Sequence, residues 1–356
     1  MDLDDIVGAA GDALPEGVGA GKQIIGGSGD DSITGTQGSD EIFADPVPVD
    51  DQGGDDEVWG LGGDDLVRAF GGDNRVHGGP GDDRLYTADG DDLVWGGTGS
   101  DELQGGRGVD LMWGGSADDE VRGGEDNDVL HGGLGDDRVI GGSGDDLLMG
   151  ELGADALEGR EGVDTFRWTG ADEGVDQVLD FELGLDRLAL ADMMAGAIAG
   201  AEDVARHVSL APVEPGGPAI LRVDRDGAGT APWQELAVLQ GTPGLDVAAL
   251  YVVGDLVLEG QPAPPPFSAL DYIATHPDLI DALGAVPAAG KRHYLEYGHA
   301  EGRAIDGFDE VQYLANYEDL QQAFGTDYAA ATRHYIAYGY HEGRSPLAPA
   351  TTDFLV

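Results

Sequence analysis

Cysteine is absent from the 356-residue chain, so neither disulfides nor thiolate-bound metals hold any part of it together. Lysine is nearly absent too, with Lys22 and Lys291 the only two. Against 70 Asp+Glu stand 18 Lys+Arg, a formal net charge of −52. So acidic a chain repels phosphate backbones and anionic lipid, which excludes nucleic acid and membrane surfaces as expected partners. No stretch approaches the roughly 20 apolar residues of a membrane span. The opening MDLDDIVGAAGDALPEG lacks the basic patch and apolar run of a cleaved secretory signal. What is abundant is glycine, at 62 residues, and carboxylate. That much backbone entropy and like charge opposes collapse. Either part of the chain stays disordered, or cations belong to the fold.

The sequence supplies a place for them. From Asp51 it falls into thirteen consecutive blocks of nine that end at Arg167. Two more blocks, GGSGDDSIT from Gly26 and GTQGSDEIF from Gly35, precede a seven-residue interruption containing Pro46 and Pro48. The sixth position is aspartate in fourteen of the fifteen blocks, with Asn74 the exception. The eighth is always apolar, from Ile33 through Val94, Leu103, Met112 and Leu148 to Phe166. A disordered Gly/Asp linker would share the composition but has no use for an invariant apolar position.

The spacing carries its own physics. Glycines permit positive φ and close backbone approach, so the first six residues turn sharply and aim carbonyl oxygens inward. The sixth-position carboxylate suits an all-oxygen calcium shell. The last three residues form a short strand with the middle side chain in the core. Two blocks make one eighteen-residue coil, and a cation bridges turns eighteen residues apart. Candidate ligands are Asp31, Asp40, Asp56, Asp65, Asp83, Asp92, Asp101, Asp110, Asp119, Asp128, Asp137, Asp146, Asp155 and Asp164. Up to about ten Ca²⁺ would offset roughly 20 of the negative charges.

These blocks resemble the RTX (repeats-in-toxin) family. The resemblance implies a right-handed parallel β-roll and export by a type I secretion apparatus. The C-terminal Asp353-Phe354-Leu355-Val356 is similar to the export motif that ends secreted RTX proteases and lipases. Departures concentrate in one column: the blocks starting at Asp51, Ala69 and Thr87 lack the leading glycine pair, so that edge is expected to bind calcium weakly near its N-terminal end. Ala117 and Asp126 replace the fourth-position glycine and put two further sites in doubt.

Positions seven and nine face outward and differ between columns. One column offers Leu93/Trp95, Leu111/Trp113, Val129/His131 and Leu147/Met149, while the other is mostly charged. A contiguous apolar patch is normally covered. The expected covers are the C-terminal part of the chain, a second copy or partner at a cell surface or matrix, or a stacked carbohydrate.

The expected organisation is mainly β. A flexible acidic leader spans 1–25, the roll 26–167, and a β-rich capping region similar to type I secretion targets 168–260. A Pro-rich linker at 261–266 leads to a small helical domain at 267–346 and a tail at 347–356. In the cap, residues 193–207 read as helix, and PAILRVD, ELAVLQG and YVVGDLVLEG as strands. DRDGAG at 224–229 lacks a full calcium-loop spacing and reads as a turn. Residues 267–303 and 308–344 match at a period of 41. Each copy reads as two or three short helices ending HYxxYGxxEGR, with Gly298 as a helix stop. His293 and His334 are expected to hydrogen-bond within the module, since neither has a second histidine at ligand spacing. There is no HExxH and no GxSxG, and an enzyme is not expected. The expected role is that of an extracellular structural or adhesive calcium-binding protein. The alternative is a soluble binding module for which the roll is a spacer.

Overall fold

A computed structural model describes residues 21–347 apart from 28, 46–52, 171–173, 192–199, 213–216, 226, 228–232, 241–245 and 260–266. The Pro-rich linker and the DFLV terminus therefore lie outside the described residues. The chain divides into two compact units, residues 1–247 with 255–263, and residues 248–254 with 264–356.

The first unit is a parallel β-solenoid. Successive strands alternate between a 12-stranded and a 10-stranded sheet. Neighbours in each sheet are eighteen residues apart, as where Leu93, Leu111 and Val129 pair in register. One buried side chain per block fills the space between the sheets: Val58, Val67, Val76, Leu85, Val94, Leu103, Met112, Val121, Leu130, Val139, Leu148, Leu157 and Phe166 are all 0% exposed. This is the eighth-position column, and it makes the core a single file of aliphatic side chains from each sheet.

Three features differ from the sequence reading. The middle strands are six residues long rather than three, as in Leu93–Thr98 and Leu111–Ser116, because the parallel pairing continues past each apolar triplet through the glycine pair, as at Gly97↔Gly115. The roll also begins earlier than the first nonapeptide. Gln23–Ile25 pairs with Glu41–Phe43, so the leader expected over 1–25 gives up its last residues to a strand. Finally, the interruption sits inside a turn. Ala44 N–H donates to Arg68 O at 2.9 Å, the same bond that Ala69 N–H makes to Tyr86 O one coil later. Ala44 and Asp45 therefore fill the first two turn positions, and the chain re-enters the turn at Gly53, leaving 46–52 as the insertion. The coil offset becomes 25 there, as in Ile33↔Val58, and returns to eighteen afterwards.

Both sheets run on past the repeats without a break. Asp176–Val178 pairs with Ala156–Glu161 and then with Gln234–Leu239, followed antiparallel by Ala219–Val223 and Val208–Pro212. On the other sheet Arg187–Ala191 is followed by Leu256–Glu259. Residues 201–207 of the expected helix are helical, and Gly227 N–H closes a turn on Asp224 O. The YVV segment corrects the sequence reading. It belongs to the helix Val247–Val253, buried on nearly every side and ended by Gly254 at φ 83°. A short apolar run has no periodicity by which to tell such a helix from a strand.

In the second unit each 41-residue copy holds three helices. They are Ala269–Thr275, Pro277–Leu283 and Pro287–His293 in the first copy, and Glu310–Asn316, Glu318–Phe324 and Tyr328–His334 in the second. Ser268, Asp309 and Asp327 cap three of them by accepting a backbone N–H three residues on. Tyr272 and Tyr313 are fully buried, and each hydroxyl meets a histidine Nδ1, His293 at 3.0 Å and His334 at 2.9 Å. Gly298 does not stop a helix. The chain continues through it as a π-helical turn, Tyr294–Gly298, repeated at Tyr335–Gly339. A Cβ on Gly298 would lie 2.2 Å from Tyr272 Oη, and one on Gly339 2.1 Å from Tyr313 Oη, so the glycine is set by a close approach. Gly298→Ala or Gly339→Ala should push the tyrosine off its histidine and cost about 1–3 kcal/mol. Thermal melting of the full chain checks this; an unchanged transition contradicts the contact.

Candidate metal centre

Every sixth-position aspartate except the half-buried Asp31 is buried. One carboxylate oxygen of each is committed to the fold. Asp65 N–H donates to Asp83 Oδ1 at 2.7 Å, Asp83 N–H to Asp101 Oδ1 at 2.8 Å and Asp101 N–H to Asp119 Oδ1 at 2.7 Å. The other edge repeats the pattern through Asp92, Asp110, Asp128, Asp146 and Asp164. Each Oδ1 thus ties its coil to the one before.

The second oxygen has no such use. Oδ2 of Asp56, Asp65, Asp83, Asp92, Asp101, Asp110, Asp119, Asp128, Asp137, Asp146, Asp155 and Asp164 is buried without a hydrogen-bond partner. A buried acceptor left unpaired costs free energy, and a charged one costs more. Burial accordingly pushes these carboxyls up, to about 8 for Asp101 and Asp110, about 7 for Asp56, Asp65, Asp128, Asp137 and Asp146, and about 6 for Asp83, Asp92 and Asp119. Backbone N–H groups pull the other way without prevailing, and neighbouring carboxylates mostly add to the rise. Asp155 and Asp164 are raised for the same main reason. The turn is shaped around these oxygens. A Cβ on Gly105 would sit 1.9 Å from Asp110 Oδ2, and one on Gly97, at φ 125°, would sit 2.1 Å from Gly79 O.

Oriented carbonyls, a buried unpaired carboxylate oxygen and no nitrogen or sulfur donor make a hard, all-oxygen set, which fits Ca²⁺. Among the described residues no three His, Asp or Glu side chains converge on one point, so such a site must draw most of its oxygens from the turn backbone. Ala117 and Asp126 keep the left-handed backbone of the glycines they replace, at φ 81° and 77°, and their turns keep their shape.

The first and last rungs differ. Asp31 Oδ2 accepts Gly27 N–H, and Asp40 accepts from Lys22 N–H, Thr36 N–H and the Thr36 hydroxyl. At the far end Asp176 Oδ2 accepts the Trp168 indole N–H at 2.7 Å, and Asp186 Oδ2 accepts Glu182 N–H at 2.6 Å. Asp180 accepts from Gly159 and Arg160 N–H. Two sets of residues escaped the sequence reading. Asp45 is 3% exposed with both oxygens unpartnered; only the displaced frame of the interruption reveals that it lies in a turn. The fifth-position residues Asp64, Asp82, Asp91, Asp118, Asp136 and Asp145 form a second, exposed ladder, as where Asp82 N–H donates to Asp64 Oδ1 at 3.0 Å. Its signal is that position five is Asp, Asn or Ser in most blocks.

On the outer face of the 10-stranded sheet, Leu93, Trp95, Leu111, Trp113, Val129, His131 and Leu147 are half-buried and Met149 is buried. The rings form a stack that starts before the expected patch. Trp59, His77, Trp95, Trp113 and His131 follow one another at centroid distances of 3.8, 4.3, 5.2 and 5.3 Å, with interplanar angles of 22° or less. Much of the ring area faces the next ring, and edges point outward, which leaves little face for a sugar to stack on. The opposite sheet carries an ionic chain through Arg84, Glu102, Arg122, Glu120, Arg138 and Glu158.

A family model of the RTX calcium-binding nonapeptide repeat (4 copies) matches residues 23–46, 50–85, 68–103, 95–130 and 131–166. The match lies wholly within the repeat region, residues 23–166. Among solved structures, the solution structure of the AlgE6R3 subunit from the Azotobacter vinelandii mannuronan C5-epimerase is 25% identical. That match covers 40% of this chain and 78% of the other, with a TM-score of 0.29. No curated protein matches the chain. Among the described residues no helix is long and apolar enough to cross a membrane.

The raised carboxyls fix a pH dependence. Their folded values of about 6–8 lie above the ordinary aspartate value of 3.8, so the metal-free roll binds more protons than the unfolded chain and loses stability as pH rises through that window. In chelator, acidification from about pH 8 to 4.5 should therefore increase β-roll circular dichroism. With calcium, the same change should weaken binding, because protons compete for the carboxylates. A chelated protein with the same spectrum at both pH values would contradict the geometry.

Proposed function

We propose that this chain is a secreted protein whose roll folds when Ca²⁺ enters its turns outside the cell, and that it serves as a structural or adhesive component of a bacterial surface, matrix or biofilm. The observation that carries the reading is the file of twelve buried, unpartnered Oδ2 atoms. The sixth-position aspartates are the ligands, one ion at most for each unpartnered oxygen. Inside the cell calcium is scarce and a net charge of −52 keeps the roll open, which suits threading through a type I secretion apparatus. Outside, millimolar calcium matches sites with affinities of roughly 10⁻⁴–10⁻³ M, and binding energy becomes folding energy. The resemblance of the repeats and of the DFLV terminus to type I substrates supports this route.

A calcium titration followed by circular dichroism tests the switch: a roll spectrum already complete in excess chelator at neutral pH would reject it. Asp101→Ala and Asp110→Ala, one on each edge, should each lose an ion and raise the calcium midpoint severalfold.

A second reading is favoured by the duplicated helical modules, which expose Tyr297 and Tyr338 at 55% and 61% beside equivalent histidines. On that reading the modules bind a glycan or protein and the roll is a spacer. Sedimentation separates the two. Calcium-driven polymers that Trp95→Asp or Trp113→Asp disperses support assembly, whereas a monomer in millimolar calcium with affinity for a ligand supports the spacer.

A further inference from the structure

We infer that Asn74 is a permanent stand-in for calcium, closing its turn with a side-chain N–H so that one rung in the middle of the ladder takes no ion. This rests on the calcium reading above and refines where the ions go. Asn74 is 1% exposed and keeps the structural half of the aspartate role: its Oδ1 accepts Asp56 N–H at 3.0 Å, and its own N–H donates to Asp92 Oδ1 at 2.7 Å. Its other side-chain atom, Nδ2, donates to Gly72 O at 2.8 Å.

These two contacts fix the amide. Rotated by half a turn, Nδ2 would face the Asp56 N–H and Oδ1 would face the Gly72 carbonyl, donor against donor and acceptor against acceptor. Asparagine and aspartate have the same shape, and Oδ1 makes the same bond in both. Nδ2 therefore stands where Oδ2 stands in the flanking rungs. Asp56 on one side has that oxygen unpartnered. On the other, Asp92 Oδ2 makes no hydrogen bond either, but the carboxyl, pushed up by burial, is drawn part of the way back down by the Asn74 N–H and the nearby Thr87 and Asn74 side-chain donors. An N–H pointing into a would-be cation site repels a cation, and it already occupies a turn carbonyl that would be a ligand. The adjoining turn carries a second protein donor in the same stretch: Thr87, 0% exposed, stands at the first position, where most turns have glycine, and its hydroxyl donates to Gly105 O at 3.2 Å. The missing leading glycines and the asparagine are thus parts of one device. On this edge the calcium column is split, with the Asp56 rung on one side of a metal-free rung and the rungs from Asp92 to Asp164 on the other.

The test counts ions. Full-length wild type, Asn74→Asp and Asn74→Ala are saturated with Ca²⁺, and bound equivalents are measured by equilibrium dialysis and native mass spectrometry. Asn74→Asp should bind one more ion than wild type and show less residual roll signal in chelator; Asn74→Ala should leave the count unchanged. Aspartate holds this position in fourteen of the fifteen blocks, so the calcium-loaded variant is expected to fold. Equal, non-zero counts for wild type and Asn74→Asp overturn the inference and leave the calcium reading standing. One ion fewer in Asn74→Ala overturns it as well, by making the amide oxygen a ligand. A wild type that binds no calcium at millimolar concentration overturns both.

Discussion

The structure depends on what happens between a buried aspartate oxygen and the glycine turn that surrounds it. One oxygen of each carboxylate stitches its coil to the previous one through a backbone N–H, and in twelve of them the other is buried with no hydrogen-bond partner. Without a positive charge that second oxygen is a cost; with one it becomes the clamp. The core cannot substitute for the clamp, because each nine-residue block buries one eighth-position side chain between the sheets while ordering several glycines. On the proposed reading, ion binding and folding are for that reason a single event rather than two consecutive ones.

At its margins the chain meets the same demand with its own protons. Gly27 and Thr36 serve the first two aspartates, Trp168 and Glu182 the last two, and Asn74 an interior rung. The two outer faces have likewise been given unlike chemistry by the same pleat. One stacks aromatic rings coil upon coil, each pair adding about 0.5–1.5 kcal/mol beyond its burial. The other threads exposed ion pairs that contribute little one by one and fix register together.

Much of this was legible in the residues. The period, the eighteen-residue offset, the aspartate column and the apolar eighth position are local repeats, and local repeats survive into structure because each coil touches only its neighbours. What was hidden needed contacts that no periodicity reports. Ala44 and Asp45 belong to a turn whose remaining residues come after an insertion, so a frame counted from Asp51 slides past them. Trp59 and His77 extend the aromatic stack from blocks whose seventh positions, Glu57 and Arg75, are charged. The helix around Tyr251 and the close approach at Gly298 depend on packing, which a run of apolar letters or a lone glycine does not disclose.

The alternation of strands between two sheets constrains how such a chain can change length. Gaining or losing one nonapeptide would transpose every downstream block onto the opposite sheet, exchanging the tryptophan stack with the arginine–glutamate chain and delivering the capping strands to the wrong neighbours. Only a pair of nonapeptides, added or deleted together, is silent. Evolution of this roll, and any attempt to lengthen or shorten it by engineering, is therefore quantised in units of eighteen, whereas an insertion such as 46–52 leaves every downstream block on its own sheet, since the pairing resumes in register around it.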